Sequence, residues 1–187
     1  MSGYTAENEA ERAIASLAQM LTDGGSLWRF EAEPHWCLVR RVTESAEQQY
    51  AAATSEGSDS ANRLRMAWTA CYRQSPNYDE EYRNAVLAVE AVVLPMTIPK
   101  DKSGTLGKAI RNAKDTSARW AVGGLAGQEP SGVDALVDML ELLWKNQERH
   151  ARSDGRIVDV AGPEAEIAVS LAVTLVTWFN AGLVQRA

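Results

Sequence analysis

The stretch Ser131-Gly132-Val133-Asp134-Ala135-Leu136-Val137-Asp138-Met139-Leu140-Glu141-Leu142-Leu143-Trp144 sets Val133, Leu136, Val137, Leu140, Leu143 and Trp144 at i, i+3, i+4, i+7, i+10 and i+11. That spacing is the apolar stripe of an amphipathic α-helix packed along one side. Ser131, with Asp134 three residues on, is a capping pattern for its start. Downstream, a polar turn over residues 151–162 leads to Pro163, suited to a first helical position, with Glu164 and Glu166 complementing the N-terminal dipole of a last helix. No charged residue occurs across residues 167–185, a length that a membrane span would need. Ser170, Thr174 and Thr177 nevertheless recur at i, i+4 and i+7, followed by Asn180, which gives the helix a narrow polar side. The expectation is a buried core or dimer helix, without stable membrane insertion.

The same period continues upstream. Tyr78, Tyr82, Ala85, Val86, Val89, Val92 and Val93 share one face of a helix that Asn77 and Glu80 start and that should stop before Pro95. Residues 96–99 should be extended, a short helix should cover about residues 105–114, and Gly123, Gly124, Gly127 and Pro130 mark a loop. Leu64, Ala67, Trp68 and Cys71 define a helix ending near Arg73. Trp36, Val39, Val42, Ala46 and Tyr50 predict another from about Glu33-Pro34 to Thr54, and Ala13, Ile14, Leu17, Ala18 and Leu21 a first one over about 5–22, closed by Asp23-Gly24-Gly25. No segment reads convincingly as a strand. The polar run over residues 55–60 divides an N-terminal helical arm, 1–58, from a main domain, 59–187. The fold class predicted is therefore all-α: an antiparallel helical bundle with an N-terminal helical arm. At helical spacing, Trp36, Trp68, Trp144 and Trp178 read as core or interface residues rather than base-stacking platforms.

At 187 residues the chain is long enough to bury roughly two-thirds of its unfolded surface. It needs no metal or disulfide to hold a core. Cys37 and Cys71 have neither the spacing nor the companions of a zinc site and read as free thiols, and the acidic first residues lack a secretory pattern, so a cytoplasmic location is expected. A net charge of −6 excludes a general DNA-coating role. That total divides unevenly. Residues 1–60 carry 4 basic and 10 acidic groups, 61–130 carry 10 and 7, and 131–187 carry 5 and 8. Lys100, Lys102, Lys108, Arg111, Lys114 and Arg119 form one basic island, and Lys145, Arg149, Arg152 and Arg156 form another around His150. Together they would suit an anionic substrate.

Familiar catalytic motifs are absent: no G-x-S-x-G, no H-E-x-x-H, no G-x-G-x-x-G after a strand. Gly104-Thr105-Leu106-Gly107-Lys108 resembles a phosphate loop only superficially, with its glycines too close and Ala109 where Ser or Thr is required, and is read as a helix start. Of the two histidines, His35 stands six residues after Arg29 beside a predicted helix start and is given a structural or surface role. Glu90, flanking an apolar stripe, is expected to pair with Lys108 or Arg111 across the bundle. His150 closes Lys145-Asn146-Gln147-Glu148-Arg149-His150, where an amphipathic helix meets a polar turn.

Four ordered blocks, Tyr82-Arg83-Asn84-Ala85-Val86-Leu87-Ala88-Val89-Glu90, Thr105-Leu106-Gly107-Lys108-Ala109-Ile110, Leu142-Leu143-Trp144 running into Lys145 and His150, and Ala165-Glu166-Ile167-Ala168-Val169 through Trp178-Phe179, make the chain resemble the abortive-infection C-terminal family over residues 62–186. That family is similar to the broader HEPN group of all-helical domains. The resemblance implies an HEPN-like helical bundle, two-fold homodimerisation and, in active members, metal-independent RNA cleavage in phage defence or toxin systems. The HEPN motif is Arg-x(4-6)-His; here Lys145, Asn146 and His150 match its spacing and polar second position, with Lys in place of Arg. Lysine keeps the charge but lacks the planar fork suited to phosphate, which Arg149 could supply. The resemblance implies catalytic roles for His150 as general acid or base, Lys145 or Arg149 as phosphate stabiliser and Asn146 as orienting group, with Arg152, Arg156, Lys108 and Arg111 as substrate-binding cations. No cofactor or metal is required. At about 100° per residue, Asn146, Gln147 and His150 share one side of a helix and Lys145 and Arg149 another, so convergence needs the helix to end near Arg149 or a second subunit to contribute. The alternative is a non-enzymatic helical dimerisation or interaction module binding a protein or RNA partner, with Arg149 and His150 merely complementing a helix C-terminus.

Overall fold

A computed structural model describes residues 3–31, 37–123, 132–150 and 162–186. Its order is α1 (Gly3–Asp23), β1 (Trp28–Glu31), β2 (Cys37–Arg40), α2 (Glu44–Ala53), α3 (Asp59–Tyr72), α4 (Tyr78–Thr97), α5 (Leu106–Asp115), a one-turn 3₁₀ helix (Ser117–Arg119), β3 (Trp120–Val122), α6 (Gly132–His150), α7 (Gly162–Asn180) and β4 (Val184–Arg186). The chain is thus mostly helical. Side chains cap the helices as local chemistry dictates. Thr43, Ser58, Asn77 and Thr105 accept from the backbone N–H three residues on, opening α2, α3, α4 and α5.

The core lies where α4 packs between α3 and α7, with α5 and α6 closing one flank. Leu64, Ala67 and Trp68 from α3 meet Ala85, Val86, Val89 and Val93 from α4 and Ala168, Val169, Ala172 and Val176 from α7, all buried. Alanines on these faces let the backbones approach closely, and valines fill the seams with little rotamer entropy to lose. Tyr82 reaches from α4 to α6, donating its hydroxyl to the Leu143 carbonyl at 2.6 Å. Trp68 stacks on Tyr50 of α2 with ring centroids 4.2 Å apart. Trp144 and Trp178 are half-buried against this core, and Trp36 lies outside the described residues.

Three expectations are corrected. The helix predicted from Glu33 to Thr54 is instead strand β2 followed by a shorter α2. Strand β1 pairs antiparallel with β2, Trp28 opposite Arg40 and Glu31 opposite Cys37. Val39 is fully buried and forms a bridge with Arg73, next to the Leu38 carbonyl that accepts from Gln74 N–H at 3.0 Å. Long-range pairing has overridden a helical period here. Secondly, α4 does not stop before Pro95 but carries it inside its last turns, so residues 96 and 97 are helical rather than extended. Proline forfeits one bond only, and the end is tied by Thr97 Oγ1 donating to the Val93 carbonyl at 2.9 Å and Ile98 N–H to Leu94 at 2.9 Å. Thirdly, short strands do occur. Strands β3 and β4 pair antiparallel, after Gly182 reverses the chain in the left-handed region at φ +66°.

The division predicted at residue 58 falls at the cap of α3. Helix α2 lies against α7 and β2 against α3, whereas α1 packs chiefly on β1 and leaves Leu17 and Met20 exposed. The hydroxyls of Thr174 and Thr177 donate to the carbonyls of Ser170 and Val173, which satisfies the polar side of α7 within the helix itself. Among the described residues no helix is long and apolar enough to cross a membrane.

Candidate functional site: the basic face of α5 and α6

Helix α5 buries Leu106, Ala109, Ile110 and Ala113 and turns Lys108, Arg111 and Lys114 to solvent. Its docking on α6 is unusually close at one point. A Cβ on Gly107 would lie 2.8 Å from the Trp144 indole, so glycine stands there because a ring from α6 occupies the space. This explains the Gly in the segment that superficially resembles a phosphate loop: Thr105 caps the helix and Gly107 admits Trp144. Lys145 follows that ring directly and is exposed.

The predicted substrate-binding cations are placed as follows. Lys108 folds back on the preceding loop, donating Nζ to Asp101 Oδ2 at 2.9 Å, to the Ser103 carbonyl at 3.0 Å and to Ser103 Oγ at 3.1 Å. Those contacts with Lys108 and Ser103 hold the Asp101 carboxyl below its usual range. Arg111 is exposed on the same face. Arg152 and Arg156 lie outside the described residues. The pairing expected of Glu90 with Lys108 or Arg111 is not formed. Glu90 Oε1 instead accepts the Leu106 N–H at 2.7 Å, occupying a backbone donor that the start of α5 leaves free. Burial raises the Glu90 carboxyl while that N–H lowers it.

Of the predicted catalytic residues, Lys145 donates to Glu141 Oε2 at 3.1 Å, one turn earlier on α6. The other oxygen of that carboxylate holds Lys114 Nζ at 2.5 Å, across the seam from α5. Hydrogen bonds from Lys114 and then Lys145 keep Glu141 below the usual carboxylate range. Asn146, Arg149 and His150 complete α6, whose helical backbone runs through His150; their side chains lie outside the described residues. Positions 145 and 150 are consequently about 140° apart around the helix axis.

Two features escaped the sequence reading. Lys114 belongs to a basic island in the sequence, and nothing local ties it to Glu141, 27 residues away. Glu81 carries no distinguishing signal in the sequence. It is fully buried on α4, neither carboxyl oxygen has a hydrogen-bond partner among the described residues, and burial pushes its pKa up to about 9. Its neighbourhood includes Cys71 and Tyr72, whose own groups burial raises further. Of the other residues considered, Arg29 pairs with Glu47 at 2.6 Å, and His35 is outside the described residues. Among the described residues no group of three or more His, Cys, Asp or Glu is arranged to hold a metal ion.

Fold and site together describe a mostly helical protein with a cation-rich flank on α5 and the end of α6. No family model matches the chain, nor does any curated protein or solved structure.

Proposed function

We propose that the chain is an HEPN-like helical protein of phage-defence, immunity or toxin type that engages RNA along the exposed face of α5 and the adjoining end of α6. The observation that carries this reading is the local charge. Between residues 100 and 120 an acidic chain carries six basic against two acidic residues, and all six of those cations are exposed. Such a surface gains counterion-release free energy from a phosphate backbone, which the rest of this chain would repel. The ordered blocks that resemble the abortive-infection C-terminal family support the class. A second copy would pair along α7, where Ile167 is exposed beside a groove lined by Pro163, Glu166, Leu171 and Thr174.

Cleavage in this scheme uses the RNA's own 2′-hydroxyl. His150 takes its proton as the oxygen attacks the adjacent phosphorus to close a 2′,3′-cyclic phosphate, the P–O5′ bond breaks with the 5′-oxygen taking a proton from water, and Lys145 or Arg149 offsets charge on the phosphate. The alternative is a non-enzymatic helical module that binds RNA or a protein partner without cleaving it, with Arg149 and His150 complementing the C-terminus of a helix. The full-length protein incubated with single-stranded RNA in EDTA separates the two. Cleavage by wild type, reduced on the order of a hundredfold or more in His150→Ala, is the enzymatic outcome. Binding with equal behaviour of both proteins removes the catalytic assignment, and absence of both binding and cleavage removes RNA altogether.

A further inference from the structure

We propose that Lys114 and Lys145 form a two-ammonium clamp for a single phosphodiester of RNA, and that Glu141 is the displaceable internal anion that holds the clamp in shape. The inference deepens the RNA reading and rests on it for the identity of the ligand. Its basis is geometric. Two lysines from different helices converge on one carboxylate, each taking its own oxygen, at 2.5 Å and 3.1 Å. A phosphodiester also offers two non-bridging oxygens and one negative charge, so it can take the carboxylate's place between the two ammoniums while the tethered Glu141 side chain turns out to water. Ammonium groups are point charges without a planar fork, so the exchange from a flat to a tetrahedral anion needs no matched geometry.

The clamp is built on rigid parts. Glu141 and Lys145 lie one turn apart on α6, while Lys114 stands in the last turn of α5. The seam between these helices is fixed by the fit of Trp144 against Gly107 and by the buried Leu106, Ala109, Leu140 and Leu143. Positions on packed helices hold a site more accurately than loop positions do. Access is open: the lysine side chains are 50% and 65% exposed, against 22% for Glu141. Ion pairs this exposed contribute little to folding, so giving one up for another anion costs little. Arg111, one turn before Lys114 on the exposed face of α5, supplies the next cation. A polymer can use clamp and arginine together, whereas a lone phosphate ion can use only the clamp.

The test is fluorescence anisotropy of a labelled single-stranded RNA oligonucleotide with the full chain, over a series of KCl concentrations. Lys114→Gln and Lys145→Gln should each weaken binding at low salt and reduce the slope of log affinity against log salt by about 0.7, the value for one released counterion on a single strand. Glu141→Gln should tighten binding several-fold, because it removes the competing anion and leaves both ammoniums. A double Lys114→Gln/Lys145→Gln protein that keeps the wild-type slope while RNA is still bound overturns the clamp and leaves the RNA reading standing. Equal losses on replacing Arg83, an exposed cation of α4, also overturn it, because binding would then follow total charge. If wild type ignores RNA but binds inorganic polyphosphate in a manner lost with the two lysines, the clamp survives and the RNA reading fails. Circular dichroism of each variant confirms that the helices remain.

Discussion

On the α5–α6 flank, Asp101 and Glu141 sit among lysine ammoniums that hold their carboxyls below the ordinary range, while in the core Glu81 has no hydrogen-bond partner among the described residues and burial lifts its pKa to about 9. The same functional group is thus governed by its neighbours at the surface and by desolvation inside. Glu90 stands between the two: burial raises it, a backbone N–H from α5 lowers it. The contrast separates two economies of charge. Outside, anions are exchangeable and each pair contributes little; inside, a single proton decides whether a buried side chain is tolerated.

The largest effect should come from removing the core carboxyl. Folded Glu81 keeps its proton up to about pH 9, whereas the unfolded chain releases it near the ordinary glutamate value. Between those two points the unfolded state binds fewer protons, so stability falls as pH rises, by about 1.4 kcal/mol per unit at most, and levels off above the folded value. Glu81→Met should flatten this slope and stabilise the protein at neutral pH by roughly 2–3 kcal/mol. Urea unfolding of both proteins at mildly acidic, neutral and mildly alkaline pH measures it; a wild-type stability independent of pH would sink the assignment.

Next in size is Gly107→Ala, which puts a methyl against the Trp144 indole that comes within 2.8 Å of that position. Overpacking of about 1–3 kcal/mol outweighs the helix-propensity gain of up to about 1 kcal/mol, so the melting temperature should drop. A rise would show that the indole swings aside freely and that the α5–α6 seam is loose. Glu90→Ala should cost about 1 kcal/mol by leaving the Leu106 N–H without its acceptor, and Glu90→Gln less, since an amide oxygen can still accept. Equal costs for the two, seen in chemical denaturation, would mean that charge matters there more than the bond. The smallest change belongs to Glu141→Gln, below about 1 kcal/mol. Its depressed carboxyl contributes above the unfolded value and loses that contribution as pH falls through the folded one, so an acid titration with and without high salt exposes what little there is.

Much of the helical frame was readable because the signals are local. Asn77 and Thr105 cap where their side chains have a free N–H in reach, and the stripes of α4 and α6 are the buried faces. What stayed hidden depends on distant residues. Val39 fits a helical stripe as well as a strand, and only its pairing with Arg29 and its bridge to Arg73 decide between them. Pro95 obeys a rule that the last turns of α4 tolerate breaking. Gly107 is explained by a ring 37 positions later, and the lack of a hydrogen-bond partner for Glu81 among the described residues goes with its full burial on α4. In the site, the step from Glu141 to Lys145 is visible as helical spacing, whereas Lys114 joins them through tertiary structure alone.

The left-handed turn at Gly182 sends β4 back to β3, where Arg186 lies 5.3 Å from the centroid of the Trp120 ring. Since α7 also supplies the face against which α2, α3 and α4 pack, the interior cannot close before residues 162–186 have been synthesised. During translation the parts of α3 and α4 that α7 covers must wait for roughly seconds at ordinary elongation rates.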